Sequence, residues 1–583
     1  MTLIESTKAI SGEMLTVEKI DSPEALKAIS RKWKELLDGS ETDVVFLLPE
    51  WLLTWWKIYG AGKELYVLVV RDGETIIGIA PLMRTTSSRF GVTARTIQFL
   101  GTPNIDYVDI IAVEKRQALS AIMRYFKNHR DEWSKIELSQ IPEASSTLKI
   151  LRELASEMGG RLDIKEIEPC SAYVYEGPEA ERAEFSFRKS HSIRTALNVF
   201  QRSNGFVHER LTDQELLQRY LLLMFQLHIN RWIWTPTPSK FLDDRHRAFY
   251  TELLASMPDN ISFYCVRHGS NPVACSFNFQ YKNRIYFYTL AMNLFYRKRS
   301  PGQVLFVLQG EDYIRQGYDL DYSRGAFDYK NLYANRKSAN YQVTIFSRPT
   351  AYWRVKAINR IKRLAPVAGM LRSETLSTIK TKLALEFREN GIKGILRRAF
   401  SKMVELFRKF VIDYREFFVF RFEGVPDLNI KPKIPVQFKR LTAEDTESIA
   451  TFYGVVEDSP KHKTIVERFQ KNADCFAALY RENIISLYWG LYYTDYHAEL
   501  NLSITPGSDE VVLCDALTSP IYRGMKVVPY LLAMQLEEYR KKGIKPVVGV
   551  ARANKSSRKS LGNFDFKHIR TLRHLKVLGI KII

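Results

Sequence analysis

The residues whose types and spacing point most directly to chemistry are Arg297-Lys298-Arg299-Ser300-Pro301-Gly302, three cations followed by what reads as a helix start. Ser300 suits an N-cap, Pro301 the first helical position, and Gly302 a close approach of backbone or ligand. Amide N–H groups of Gly302, Gln303 and Val304 left unpaired at a helix N-terminus, with the macrodipole behind them, favour an anion such as a pyrophosphate. A well-capped helix that binds nothing uses the same residues. After the turn, QVLFVLQGEDYIRQ is helical in pattern and YDLDYSR is a short strand carrying Asp321 and Arg324.

The elements that must position this turn recur. Three segments read as strand, polar turn, strand: YVLVVRDGETIIGIAPL (66–82), FYCVRHGSNPVACSFNF (263–279) and FAALYRENIISLYWGLY (476–492). Their turns, Arg71-Asp72-Gly73, Arg267-His268-Gly269 and Arg481-Glu482-Asn483, each place a Gly or Asn where a positive φ costs little. Each hairpin leads through further strand-like sequence and a turn to a helix of about four turns and a closing strand, the order of a mixed sheet with a crossover helix. Leu119, Ile122, Met123 and Phe126 keep one face of the first such helix apolar, and Val528, Leu532, Leu536 and Tyr539 one face of the third. The sequence thus predicts an α/β chain of mixed sheets built from three copies of one unit. QELLQRYLLLMFQLHINRW precedes the second hairpin as an N-terminal helix would.

Composition narrows the partners. With 583 residues, 45% hydrophobic, the chain can form several cores. The five cysteines form no CxxC pair and the ten histidines no HExxH, so the sequence predicts neither disulfides nor a metal site. The start lacks the apolar core of a signal peptide and no window of about 18 apolar residues occurs, so the expected location is cytoplasmic. A net charge of +21 calls for an anionic partner: a phosphorylated cofactor, nucleic acid or an anionic membrane surface. From 351 to 420 there are 16 Lys and Arg against 6 Asp and Glu. In that stretch IKGILRRAFSKMVELFRKF interleaves apolar and basic residues at helical spacing, which suits either a solvated arm or a peripheral contact with the inner face of a membrane.

The unit of hairpin, strand, anion-binding turn, helix and strand resembles the GNAT acetyltransferase fold. The first two units, through PEWLLTWW (49–56), GIAPL (78–82), LGTPNIDYVDI (100–110), LHINRW (227–232), RIYFY, SPGQVL and DYSRGAFDYK, resemble the CelD-like acetyltransferases, relatives of the FemAB group with two GNAT-like halves. The resemblance divides the chain into a first unit over 14–175, a CelD-like second unit over 176–348, a basic helical linker over 351–425 and a C-terminal GNAT domain over 436–583. The first unit has Glu114-Lys115-Arg116 and no glycine before its helix, and is expected to bind no cofactor but to wall the acceptor cleft of the second. In the third, Arg523, Gly524 and Lys526 occupy the family's cofactor loop and Asn554 the segment that follows. There Lys526 and Val528 stand where the family has small residues.

What the resemblance implies is transfer from acetyl-CoA or another acyl-CoA to an amine, the acceptor being an amino sugar or another envelope or exopolysaccharide precursor. Such transfer needs a neutral amine, a donor to polarise the carbonyl and a proton for the leaving thiolate. The expected cofactor contacts are Arg299, Ser300, Gly302, Gln303 and Val304 in the second unit and Arg523, Gly524, Lys526 and Asn554 in the third. The catalytic candidates are His228 and Asp321, with Asp515 in the third unit. Arg231, Trp232, Arg324 and Lys330 are the acceptor contacts. A hydrogen-bonded helix position for His228 and an Asp321–Arg324 pair are equally natural for those residue types. Two rival functions stand beside this one: a FemAB-type transferase using aminoacyl-tRNA, favoured by the positive charge, and a non-catalytic, membrane-associated scaffold.

Overall fold

The computed structural model describes residues 4–8, 14–89, 92–157, 162–187, 190–202, 205–232, 235, 237–269, 271–325, 328–347, 412–497, 502–552, 554, 558, 561–562, 564–577 and 580–581. Turn chemistry sets the three hairpins. Val67–Asp72 pairs with Thr75–Ala80, Ile261–His268 with Asn271–Tyr281, and Asp474–Tyr480 with Asn483–Leu491, all antiparallel. Gly73 and Gly269 take φ of 54° and 56° as their turns require. The third turn corrects the expectation for Asn483: the positive φ values fall on Arg481 and Glu482, and Asn483 already pairs with Tyr480 as the first residue of its strand.

The crossover helices lie where the apolar spacing puts them, at Lys115–Asn128, Pro301–Arg315 and Val527–Lys541, each followed by a closing strand, Lys135–Pro142, Asp319–Arg324 and Lys545–Ala551. In the second unit the strands run Phe206–Leu211, Ile261–His268, Asn271–Tyr281, Arg284–Met292, Asp319–Arg324, Leu162–Tyr173, Arg336–Phe346. The third unit repeats that order with Gln437–Leu441, Asp474–Tyr480, Asn483–Leu491, Glu510–Thr518, Lys545–Ala551, Ile412–Phe422, Phe566–Val577. In both, a strand that precedes the unit in sequence is inserted between its closing strand and its last one.

That insertion changes two boundaries. Leu162–Tyr173, assigned to the first unit, hydrogen-bonds to Asp319–Arg324 on one side and Arg336–Phe346 on the other, inside the second unit's sheet. Arg336–Phe346 then pairs with Lys135–Pro142, so the first two units share one eleven-stranded sheet. Ile412–Phe422, placed in the linker, is a strand of the third sheet, because Phe417, Val419 and Phe422 point into its core while both backbone edges are paired. The rest of the predicted helical linker lies outside the described residues.

One feature of the sheets positions the site. Arg284–Met292 and Asp319–Arg324 run parallel for three residue pairs only, the last being Tyr286 with Asp321, and then part. Across Arg284–Met292 the pairing with Asn271–Tyr281 slips at Tyr288, one extra residue opposite Phe277 and Asn278. The third unit has the same divergence after Leu513 and Val548.

Candidate functional site at the parted strands

A cavity of about 290 Å³ opens where the two strands part, at the lower end of the range of about 300–1,000 Å³ usual for small-molecule sites. The second unit's sheet supplies Ser276, Asn278, Phe287 to Leu290, Ser323 and Arg324, and the helix Pro301–Arg315 supplies Phe306. Lys240 and the helix Asp244–Ser256, through His246, Phe249 and Tyr250, close another side. The first unit contributes Asn104 and Asp106, so the cavity is shared between two units.

Its polar wall is closely hydrogen-bonded. The Lys240 ammonium donates to the Tyr250 hydroxyl at 2.6 Å and to Thr289 Oγ1 at 3.1 Å, and lies 4.9 Å from the ring centroids of Tyr250 and Tyr288. Desolvation there, opposed by the Asp106 carboxylate and helped by a smaller push from Arg324, brings its pKa down to about 8. Arg324 donates to Asp106 Oδ1 at 2.7 Å and to the Pro103 carbonyl at 2.8 Å. Lys330 donates to the Arg324 carbonyl at 2.8 Å, and burial lowers its pKa too. Trp55 Nε1 donates to Asn104 Oδ1, which turns Asn104 Nδ2 toward His246 Nε2 at 3.2 Å and makes that ring nitrogen the acceptor. At the floor, Ser276 donates to Asn278, Asn278 to Gln309 and Tyr313, and Tyr313 to Ser262, a fully buried network that fixes the strand Asn271–Tyr281 against the helix.

Of the sequence candidates, Arg324 and Lys330 face this cavity. Asp321 lies behind its wall: it accepts from the Tyr107 hydroxyl at 2.8 Å and the Ser323 amide at 2.7 Å, and burial raises its pKa. It does not pair with Arg324, which goes to Asp106 instead. His228 is also behind the wall, its Nδ1 2.8 Å from Ser239 Oγ, with its pKa pushed down to about 3 by desolvation and by Lys240 and Arg231. Arg231 and Trp232 end the helix Gln214–Trp232 with the guanidinium 5.0 Å from the indole centroid, away from the cavity lining.

The basic turn departs from expectation in two respects. Ser300 is the N-cap, but in the left-handed region, φ 50° and ψ 46°, and its side chain makes no capping bond. Its carbonyl accepts from the amides of both Gln303 and Val304, so of the three amides expected to be free only that of Gly302 is left without a backbone acceptor among the described residues. A Cβ on Gly302 would sit 3.2 Å from Leu290, so glycine here also lets the helix approach the parted strand. Arg299 pairs with Glu457 at 2.9 Å and Lys298 with Asp458 at 3.2 Å, while the Glu457 amide donates to the Phe295 carbonyl. Thus an acidic segment of the third unit sits on two of the three cations.

The corresponding turns of the other units differ. At the first-unit helix Lys115 is buried against Asp109 at 2.6 Å, a carboxylate also held by Thr42, Ser145 and Thr147. In the third, Lys526 takes the left-handed N-cap, φ 60° and ψ 22°, as Ser300 does, and Arg523 and Gly524 are exposed. Asp515, at φ 50°, pairs with Arg468 at 2.8 Å, whose guanidinium lies 5.1 Å from the Trp489 centroid. Asn554 is exposed, its amide bonded to the Ala551 carbonyl. Among the described residues no cluster of His, Cys, Asp and Glu could hold a metal, and no helix is long and apolar enough to cross a membrane.

Sequence reasoning missed Lys240, Asp106, Asn104, His246 and Tyr250. Nothing local marks Lys240 in SKFLDD, whereas Asn104 and Asp106 stood inside the LGTPNIDYVDI motif and could have been found there.

Residues 186–331 match the family model described as Acetyltransferase (GNAT) domain. That stretch, a GNAT acetyltransferase domain by this match, holds the parted strands, the helix start and the whole second-unit wall of the cavity. Solved structures similar to the chain include FemX, 12% identical over 54% of this chain and 95% of that one, with a TM-score of 0.39. A tandem GNAT protein from the clavulanic acid biosynthesis pathway is 9% identical over 57% and 99%, with a TM-score of 0.35. A putative GNAT-family acetyltransferase from Novosphingobium aromaticivorans is 13% identical over 28% and 64%, with a TM-score of 0.21. Among curated proteins none matches.

Proposed function

We propose that the chain transfers an acyl group, acetyl in the simplest case, from acyl-CoA directly to an amine, with its principal site in the second unit. The observation that carries this reading is the cavity at the parted strands, which runs from the side of the helix Pro301–Arg315 to a wall supplied by the first unit. The thioester would enter the gap beside Phe287, Leu290 and Phe306, with its phosphates toward Gly302 and Arg297, and the acceptor would occupy the end near Asn104, Asp106 and Tyr288.

Transfer forms a C–N bond, breaks the C–S bond and moves a proton from the amine toward the thiolate. Asp106 is the carboxylate on the lining; its Oδ1 accepts from Arg324, and its other oxygen is the proposed acceptor of the amine proton. His228 and Asp321 act here as positioning groups, His228 on Ser239 beside Lys240 and Asp321 on the Ser323 amide. The acceptor proposed is an amino sugar or another envelope or exopolysaccharide precursor, in the cytoplasm.

The test is purified full-length chain with acetyl-CoA and a panel of amino sugars, free and nucleotide-linked, read by release of free thiol and by a rise in melting temperature with acetyl-CoA alone. Acceptor-dependent thiol release that Asp106→Asn reduces at least tenfold is expected. No thiol release across the panel, with no thermal response to acetyl-CoA, refutes the proposal.

A further inference from the structure

Two features of the cavity wall are left uncompensated by the protein itself. The Lys240 ammonium bonds only to the neutral oxygens of Tyr250 and Thr289 and has no carboxylate within 4.0 Å among the described residues. Asp106 acts on this ammonium only at a distance, its carboxylate held by Arg324, and does not offset the desolvation; a desolvated ammonium without a contact counter-ion is costly, and such groups concentrate at sites where a ligand supplies further negative charge. Ser323, 3% exposed, lines the same cavity with a hydroxyl that has no hydrogen-bond partner among the described residues. Buried hydroxyls are ordinarily satisfied. Ser323 is also held at φ 57°, a region side chains other than Gly and Asn rarely adopt, by the bond from its amide to Asp321. Strain at a residue whose side chain then bonds to none of the described residues is the pattern expected where a ligand completes the set.

The surrounding charge has the same sense. Lys240, Arg324 and Lys330 face the cavity against Asp106 alone, and Asp106 is taken up by Arg324. Glu168 lies beyond Arg324 at 3.6 Å, and Asp321 is turned to Tyr107.

We infer that the Lys240 end of the cavity binds an oxyanion, a carboxylate or a phosphate carried by the acceptor, with the Lys240 ammonium and the Ser323 hydroxyl as its donors. The inference rests on reading the cavity as the acceptor site and deepens it: the acceptor is an amine that also bears a negative charge, such as a phosphorylated or carboxylated amino sugar, rather than a neutral one.

The experiment is calorimetric titration of the full chain with inorganic phosphate and, separately, with acetate, at fixed chloride, for wild type, Lys240→Met and Ser323→Ala. Wild type binds one of the two anions below 20 mM, Lys240→Met weakens that binding at least tenfold and Ser323→Ala about threefold; the preferred anion identifies the acceptor group. Absence of saturable binding of either anion in wild type overturns the proposal, as does binding that both variants retain unchanged, since that anion sits elsewhere. Should Lys240→Met fail to fold by circular dichroism, Ser323→Ala carries the decision. No acyl-CoA enters these titrations, so anion binding at Lys240 in a chain that never releases thiol refutes the acyl-transfer reading and leaves this one standing.

Discussion

Replacing Lys240 by Met should make the protein more stable at neutral pH while impairing its site. The folded protein holds this ammonium at a pKa of about 8, against 10.5 for a free lysine. At about 1.4 kcal/mol per pH unit, keeping it charged costs the folded state on the order of 3 kcal/mol. Because the folded value lies below the unfolded one, the penalty is present in full below pH 8 and fades as pH rises from 8 to 10.5, where both states become neutral. Methionine removes the penalty and loses two hydrogen bonds worth about 1 kcal/mol each. The Tyr250–Thr289 bond at 2.6 Å survives without the lysine, so the net gain at pH 7 is about 1–2 kcal/mol. Urea unfolding of wild type and Lys240→Met, followed through hydrogen exchange of amides in Arg284–Met292, measures it between pH 7 and 10. A variant less stable than wild type at pH 7, or a difference that stays constant over that range, refutes the argument that the lysine is held desolvated without a contact ion pair.

Three further outcomes follow from the geometry. Glu457→Gln with Asp458→Asn frees Lys298 and Arg299; partly exposed pairs of this kind are worth about 0.2–1 kcal/mol each, so the Kd for acetyl-CoA should fall by about twofold to thirtyfold, and an unchanged Kd means the turn's cations do not meet the cofactor. Tyr107→Phe deprives the buried Asp321 of a donor at 2.8 Å, which should raise the carboxyl pKa further, as NMR titration of Asp321 would show, and lower stability by about 1–3 kcal/mol at neutral pH. Gly490→Ala puts a methyl 1.9 Å from the Tyr539 hydroxyl, an overpacking cost of about 1–3 kcal/mol or more. Proteolysis should then attack the third unit first and leave phosphate binding at the Lys240 cavity unchanged.

The sequence by itself determined the repeated unit. Gly73 and Gly269 fix two hairpin turns, the apolar spacing of 115–128, 301–315 and 527–541 fixes the crossover helices, and Pro301 starts the helix at the parted strands, all through forces acting within about a dozen residues. It also named Arg324, at the end of a recognisable strand, and Lys330, in the short helix Asp328–Tyr333 that follows it. Tertiary structure decided the rest. Lys240 and Asp106 are 134 residues apart in sequence, and only the closing of the first unit over the second puts both on one cavity. The strands Leu162–Tyr173 and Ile412–Phe422 read as the end of one unit and as linker because strand pairing is a contact between distant segments, and no local pattern states which edge a strand will fill. The basic turn shows the difference most directly: its three cations are plain in the sequence, but that Glu457 and Asp458 of the third unit sit on two of them is a consequence of packing alone.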